Sequence, residues 1–211
     1  MSFDRLAPHY RWIEALFAGE RLQRCRTALL DAISPPRNVL IYGEGNGRFL
    51  VELLRRFPHT QTTVVDSSGT MIDLARMRLK REGLADAKVQ FIQADALVWQ
   101  PQTSSFDLIV TCFFLDCFRE DQLQQLIPVI AGGATSDAQW LVADFQIASS
   151  GLRRWRSRMI VGLLYVFFRF ATRLPGRRLI DPAPCLRAAG FTCEQQTEHD
   201  HGMLYSSWWA R

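Results

Sequence analysis

Gly43-Glu44-Gly45-Asn46-Gly47 puts glycine at every second position between an apolar run and an amphipathic stretch that opens with Arg48-Phe49-Leu50. Glycines so spaced let the backbone turn sharply and bring its N–H groups, with the start of the next helix, close to a ligand. Nineteen residues beyond Gly47 a second apolar run ends in Val64-Val65-Asp66, and a third is followed by Gln93-Ala94-Asp95-Ala96. An acid at a strand end can accept hydrogen bonds from both hydroxyls of a ribose lying across it. Asp66 also reads as the N-cap of the following helix, beside Ser67, Ser68 and Gly69, and the two roles are compatible. Three such signals at three successive strand ends point to a nucleotide-bearing ligand. A nicotinamide enzyme fits less well, because Gly-x-Gly-x-x-Gly needs glycine at 48 and the residue there is Arg48.

Positioning these groups requires strands that end together. Short β-like runs alternate with helical stretches along the chain, which implies a mostly parallel sheet covered on both faces. Strands are predicted at Asn38–Tyr42, Thr62–Asp66, Val89–Ala94, Phe106–Thr111, Gln139–Asp144, Phe191–His199 and Leu204–Ala210. Helices are predicted at Phe3–Leu16, Glu20–Ile33, Arg48–Phe57, Gly69–Glu82, Glu120–Ala131 and Ala183–Ala189. The last two strands have no helix between them and should close the sheet as an antiparallel hairpin turning near His201-Gly202. The expected fold is a single α/β domain over residues 1–211, Rossmann-like and seven-stranded. A helical cap over 1–36 and a helical insertion or lid over 149–181 complete it.

The chain has 211 residues, 48% hydrophobic and 22% charged, with a mean hydropathy of −0.05. That is enough to bury a core without staples. Five cysteines with no Cys-x-x-Cys pair suit a reducing cytosol, and the start of the sequence does not read as an export signal. Net charge is +4, but residues 151–178 hold eight arginines and no acid, which leaves −4 for the rest. Such a patch suits nucleic acid or anionic lipid.

From about Asn38 to Asp144 the order and spacing of these segments resemble the class I S-adenosylmethionine-dependent methyltransferases. Gly43, Glu44, Gly45, Asn46 and Gly47 look like the family's nucleotide loop, whose glycines approach the methionine and ribose of the cofactor. Asp66, Ser67 and Met71 resemble the next motif, in which the acid holds the ribose and the methionine packs on adenine. Asp95 and Ala96 resemble the motif that accepts from the adenine amino group. Phe106-Asp107-Leu108-Ile109-Val110-Thr111 resembles the fourth strand, with Thr111 at the end that faces the transferable methyl. The resemblance implies S-adenosyl-L-methionine as cofactor. Family members usually carry an acid two residues before the first glycine; here that residue is Ile41, and Glu44 either stands in for the acid or points to the surface. Phe3 to Tyr10 resembles the opening segment of quinone-biosynthesis C-methyltransferases, which implies that Tyr10, and with it His9, borders the site. The same stretch also reads as a packing stripe of Phe3, Leu6, Tyr10, Ile13 and Phe17.

Methyl transfer from a sulfonium is an in-line displacement, so a base is needed only if the acceptor must lose a proton early. Asp116 is the candidate catalytic carboxylate, with an N-cap of the helix near Glu120 as its alternative. Cys112 and Cys117 read as small core residues. His9, His59, His199 and His201 lack metal-ligand spacing, and no metal is implied; His199-Asp200-His201 reads as exposed polar residues of a turn. Phe113 and Phe114 are the candidate acceptor contacts, with Leu115 and Phe118 beside them, and suit an apolar molecule such as a quinone precursor or a lipid-like phenol, amine or acid. The Asn/Asp-Pro-Pro-aromatic signature of nucleic-acid and glutamine N-methyltransferases is absent, so nucleic acid is a less favoured partner. Met159–Phe168 would make a helix of about 15 Å, half of what a bilayer needs. It reads as a roof over the acceptor that includes Leu164 and Phe167, as a shallow membrane contact of 153–173, or as a homodimer surface. A non-catalytic binding protein on the same fold, or a nucleic-acid methyltransferase using the arginines, are the alternatives.

Overall fold

The computed structural model describes residues 19–147 and 179–211. Tyr10, Leu164, Phe167, the arginine-rich stretch 153–173, the first half of the expected cap and most of the expected lid lie outside them.

Seven strands form one sheet: β1 Asn38–Tyr42, β2 Gln61–Asp66, β3 Val89–Gln93, β4 Phe106–Cys112, β5 Ala134–Phe145, β6 Thr192–His199 and β7 Leu204–Ala210. Their order is β3-β2-β1-β4-β5-β7-β6. β1 to β5 run parallel, and β7 lies antiparallel between β5 and β6. The chain builds outward from β1 to β3, then returns to start again at β4, so the order reverses between β1 and β4. Connections leave that point in opposite directions and open a crevice above the carboxyl ends, where ligands of such sheets bind.

Alternation along the strands separates two cores. Leu40, Tyr42, Ile109, Trp140 and Val142 face one side and pack against α4 (Glu120–Gly132) and α5 (Ala183–Ala188). Val39, Ile41, Leu108, Val110 and Leu141 face the other, against α1 (Gly19–Thr27), α2 (Arg48–Arg56) and Leu79 of α3 (Gly69–Arg81). The wholly buried Trp140 donates its indole N–H to Thr111 Oγ1 at 2.9 Å, which satisfies the polar end of the largest core side chain. At the opposite, amino edge, Asp107 accepts from the backbone N–H groups of Arg37 and Asn38 and pins the start of β1.

The differences from expectation have local causes. The helix predicted to run to Ile33 ends at Thr27, whose hydroxyl bonds back to the Gln23 carbonyl, and the chain continues through i to i+3 turns at Leu30 and Ala32. β5 begins five residues before the predicted Gln139, because exposed Ser136 and Asp137 form an irregular section of strand rather than a turn: pairing with β4 jumps from Phe106–Ala134 to Leu108–Gln139. Among the described residues, no helix is long and apolar enough to cross a membrane.

Candidate functional site

Gly43, Gly45 and Gly47 all take the left-handed conformation, at φ +66°, +70° and +84°. Space at the first and last is also closed to a side chain. A Cβ on Gly43 would lie 2.6 Å from the Phe114 ring, and one on Gly47 would lie 2.9 Å from the Ala75 backbone. Gly43 N–H donates to the Val65 carbonyl, and Arg78 reaches across from α3 to the Asn46 carbonyl at 2.8 Å. The loop is therefore seated on β2 and α3 before any ligand contributes.

Asp66 ends β2 with one carboxylate oxygen accepting from Gly45 N–H at 3.2 Å and the other from Ser68 N–H at 2.9 Å. Its N-cap role goes elsewhere: Ser68 caps α3, accepting from Met71 N–H at 3.2 Å. The Ser67 carbonyl accepts from the exposed Gln93 side chain, and Met71 is buried. Ala94 N–H bonds to the Asp66 carbonyl, which brings the end of β3 beside β2. There Asp95 is exposed, accepts from Leu97 N–H, and turns the chain so that Ala96 is buried while Val98 is 78% exposed.

Glu44 is held within the loop rather than pointing to the surface. Gly47 begins α2 without a capping side chain, and Glu44 turns back to accept from Leu50 N–H at 3.0 Å, capping the helix from three residues upstream. It is half-buried, and burial pushes its carboxyl up to about 7 against the opposing pull of Leu50 N–H and Arg26. Ile41 is core, 1% exposed.

Thr111, at the end of β4, is fully buried and its hydroxyl accepts from the Trp140 indole N–H. Phe113 and Phe114 part company at the end of β4. Phe113 has φ +51° and packs on the α1 side, against Phe145 at 5.1 Å and beneath the Arg26 guanidinium. A bulky residue in that conformation stores about 1–3 kcal/mol of strain and is held there by its surroundings. Phe114 swings to the α4 side, over Gly43 and against Tyr42 and Phe118. Of the two, Phe114 is the one set against the glycine loop.

Asp116 lies in a 3-10 turn, Leu115–Cys117, and does not cap α4, which Arg119 precedes. Its backbone N–H donates to Asp144 Oδ2 at 3.0 Å, and the two carboxyl groups hydrogen-bond to each other. Burial pushes Asp116 up to about 6, and burial together with the neighbouring Asp116 raises Asp144 well above the usual carboxylate range. Burial also holds the Cys112 and Cys117 thiols well above their usual range, so both are protonated core groups rather than nucleophiles. Farther along the edge, His199 Nε2 sits 2.7 Å from Ser206 Oγ, and the Asp200 carboxylate, only 5% exposed, pairs with Arg21 at 2.9 Å. That turn is therefore tied to α1 and β7 rather than freely exposed.

Asp144 and Tyr205 were not singled out in the sequence. Asp144 carried a signal of the same kind as Asp66, an acid closing an apolar strand in Trp140-Leu141-Val142-Ala143-Asp144. Tyr205 carried none, because its place depends on β7 pairing with β5.

Residues 39–132 match the family model described as a methyltransferase domain. The chain is 29% identical over 137 residues to a demethylmenaquinone methyltransferase of Porphyromonas gingivalis, across 63% of this chain and 56% of the relative. This chain thus spans little more than half the length of that relative. Its fold is similar to that of the mitomycin 7-O-methyltransferase (TM-score 0.72, 20% identity, 100% of this chain and 61% of that one). A Burkholderia thailandensis 1,6-didemethyltoxoflavin-N1-methyltransferase, solved with its acceptor and S-adenosylhomocysteine, also has this fold (TM-score 0.66, 18% identity, 99% of this chain and 85% of that one). The order reversal at β1 and β4, the left-handed glycine loop and Asp66 bonded to it all fall within residues 39–132, the part of the chain that matches the methyltransferase-domain model.

Proposed function

We propose that this chain transfers a methyl group from S-adenosylmethionine to a small hydrophobic acceptor, a quinone precursor or another lipid-like molecule. The observation that carries the reading is the hydrogen bond between Gly45 N–H and Asp66, which joins a left-handed glycine loop to a strand-end carboxylate. The donor set suits the cofactor: a carboxylate for ribose hydroxyls at Asp66, an exposed acid at Asp95 for an exocyclic amine, and buried Met71 beside them. When bound, the cofactor supplies an electrophilic methyl on sulfur. This chain's own part is to hold the acceptor in line and keep water away. Phe114 and Phe118, edge to face at 5.0 Å, with Tyr42 and Trp99 behind them, are the apolar wall available for that. Leu164 and Phe167 are assigned to its roof on the sequence reading alone, and the same holds for a membrane contact or dimer contact through 153–173.

Titration calorimetry with S-adenosylhomocysteine is expected to show one site, weakened at least tenfold in Asp66→Ala. Transfer of a labelled methyl should then favour lipophilic over highly polar acceptors. No heat of binding to the wild-type chain would overturn the reading. A non-catalytic binding protein is the second reading, favoured by buried Ile41 where an acid is usual; turnover of any acceptor discards it.

A further inference from the structure

Asp116, Asp144 and Tyr205 meet on the α4 side of the carboxyl edge, although they come from the turn after β4, the end of β5 and the start of β7. Asp144 accepts from Asp116 N–H through Oδ2 at 3.0 Å and from Phe145 N–H through Oδ1 at 2.9 Å, so its orientation is set by two backbone donors. It is 2% exposed. Asp116 hydrogen-bonds to it side chain to side chain and also accepts from Cys117 Sγ at 3.5 Å. Tyr205 stands opposite Asp144 in the β5–β7 register, and residues so paired share a face of the sheet. The tyrosine is 9% exposed, and among the described residues its buried hydroxyl has no hydrogen-bond partner. An orphaned donor of that kind costs about 1–3 kcal/mol unless something completes it.

We infer that Asp116 and Asp144 share one proton and serve as a general base for an acceptor that presents a hydroxyl group, with the Tyr205 hydroxyl as its second hydrogen-bond contact. This rests on the methyltransferase reading and narrows its acceptor class. A half-buried and a buried carboxyl in contact cannot both ionise without strong repulsion, so the pair carries one negative charge at neutral pH. Asp116, in the turn that follows β4, is the member that meets the acceptor. Asp144 is a positioning residue that holds Asp116 through its backbone and its carboxyl. The acceptor O–H gives its proton to Asp116; the oxygen lone pair forms the bond to the methyl carbon as the carbon–sulfur bond breaks, with that electron pair left on sulfur. The products are a methyl ether, a neutral thioether and a protonated pair. The other titratable groups whose charge is felt here are Cys25 from α1, Cys112 and Cys117 from β4 and its turn, Asp66 from β2 acting on Cys117, Glu44 from the glycine loop acting on Cys112, Tyr205 from β7 and Asp181 ahead of α5. Arg26 is the cation that reaches Cys25 and Cys112.

The test is a carbon-13 NMR titration of aspartate side-chain carboxyls from pH 4 to 9, on wild type, Asp116→Asn and Asp144→Asn, with circular dichroism to confirm folding. One proton of the pair should leave near pH 6 and the second should stay well above it. In either variant the remaining carboxyl should titrate in one step. Two carboxyls both ionised by pH 5, or one whose titration ignores loss of the other, would overturn the shared proton. With S-adenosylhomocysteine present, 1-naphthol should shift the Asp116 signal, and Tyr205→Phe should weaken its binding at least fivefold; no shift would overturn the hydroxyl acceptor. Unaltered S-adenosylhomocysteine affinity in all three variants is expected. Failure of the wild type to bind it would overturn the methyltransferase reading separately, because the carboxyl titration needs no cofactor.

Discussion

On the β1–β2 side of the carboxyl edge the polar groups come from one stretch, Gly43 to Met71, and support one another mainly through backbone donors: Gly45 N–H and Ser68 N–H on Asp66, Leu50 N–H on Glu44, Met71 N–H on Ser68. On the β4–β5–β7 side they come from three segments, with Asp116 and Asp144 twenty-eight residues apart and Tyr205 farther still. Its polar network adds the buried Thr111–Trp140 bond. A local loop can be stabilised by residues that are already neighbours. A network gathered from distant strands forms only once the sheet has closed, and a buried charge or hydroxyl in it has few alternative partners. On the proposed reading, the first side holds the cofactor and the second the acceptor.

Substitutions on each side should separate the two. Gly47→Ala forces a Cβ into a left-handed position 2.9 Å from the Ala75 backbone, for a conformational cost of about 1–2 kcal/mol plus overpacking. Urea unfolding should show a loss of about 3 kcal/mol, and S-adenosylhomocysteine binding should fall with it. Thr111→Val leaves the buried Trp140 N–H without an acceptor, which should cost about 2 kcal/mol while leaving cofactor affinity unchanged. A tenfold drop in that affinity would mean the two sides are not separable.

Glu44 gives the comparison a pH axis. Its folded-state carboxyl is raised from the ordinary 4.5 to about 7, so the folded chain binds that proton more tightly than the unfolded one. Stability should therefore fall as pH rises from about 4.5 to about 7. A tenfold change in proton affinity is worth about 1.4 kcal/mol, and partial exposure brings the total expected here to about 1.5 kcal/mol. In Glu44→Gln the amide oxygen can still accept from Leu50 N–H but nothing titrates, so the melting-temperature difference between wild type and variant should shrink toward low pH. Asp116 titrates upward from 3.8 to about 6 in both proteins, and the difference curve removes it. The smallest effect should come from Ser68→Ala, about 1 kcal/mol by loss of the α3 cap, read from thermal unfolding. A much larger loss would mean that Ser68 also orders Asp66.

What could be read in the sequence follows the same division. β1 and β7 lie where the alternation put them, and the glycine loop and Asp66 were recognisable because their partners are close in the chain. Ser68 rather than Asp66 as the cap, and Glu44 as the cap of α2, were missed because neighbouring acids and hydroxyls compete for the same N–H groups and only the folded backbone decides between them. The partner of the Thr111 hydroxyl was not legible either, because it is Trp140, twenty-nine residues away.

The sequence by itself determined the layers, the carboxyl edge and the nucleotide side of the site, since periodicity and glycine spacing act over a few residues and need no knowledge of what packs against them. Only the tertiary structure decided which aromatic lies over the glycine loop, where Phe113 turns away, and that Asp116 meets Asp144 and Tyr205. Those contacts depend on strand order and register, and in a sheet where β7 inserts between β5 and β6, neighbours in space are not neighbours in sequence.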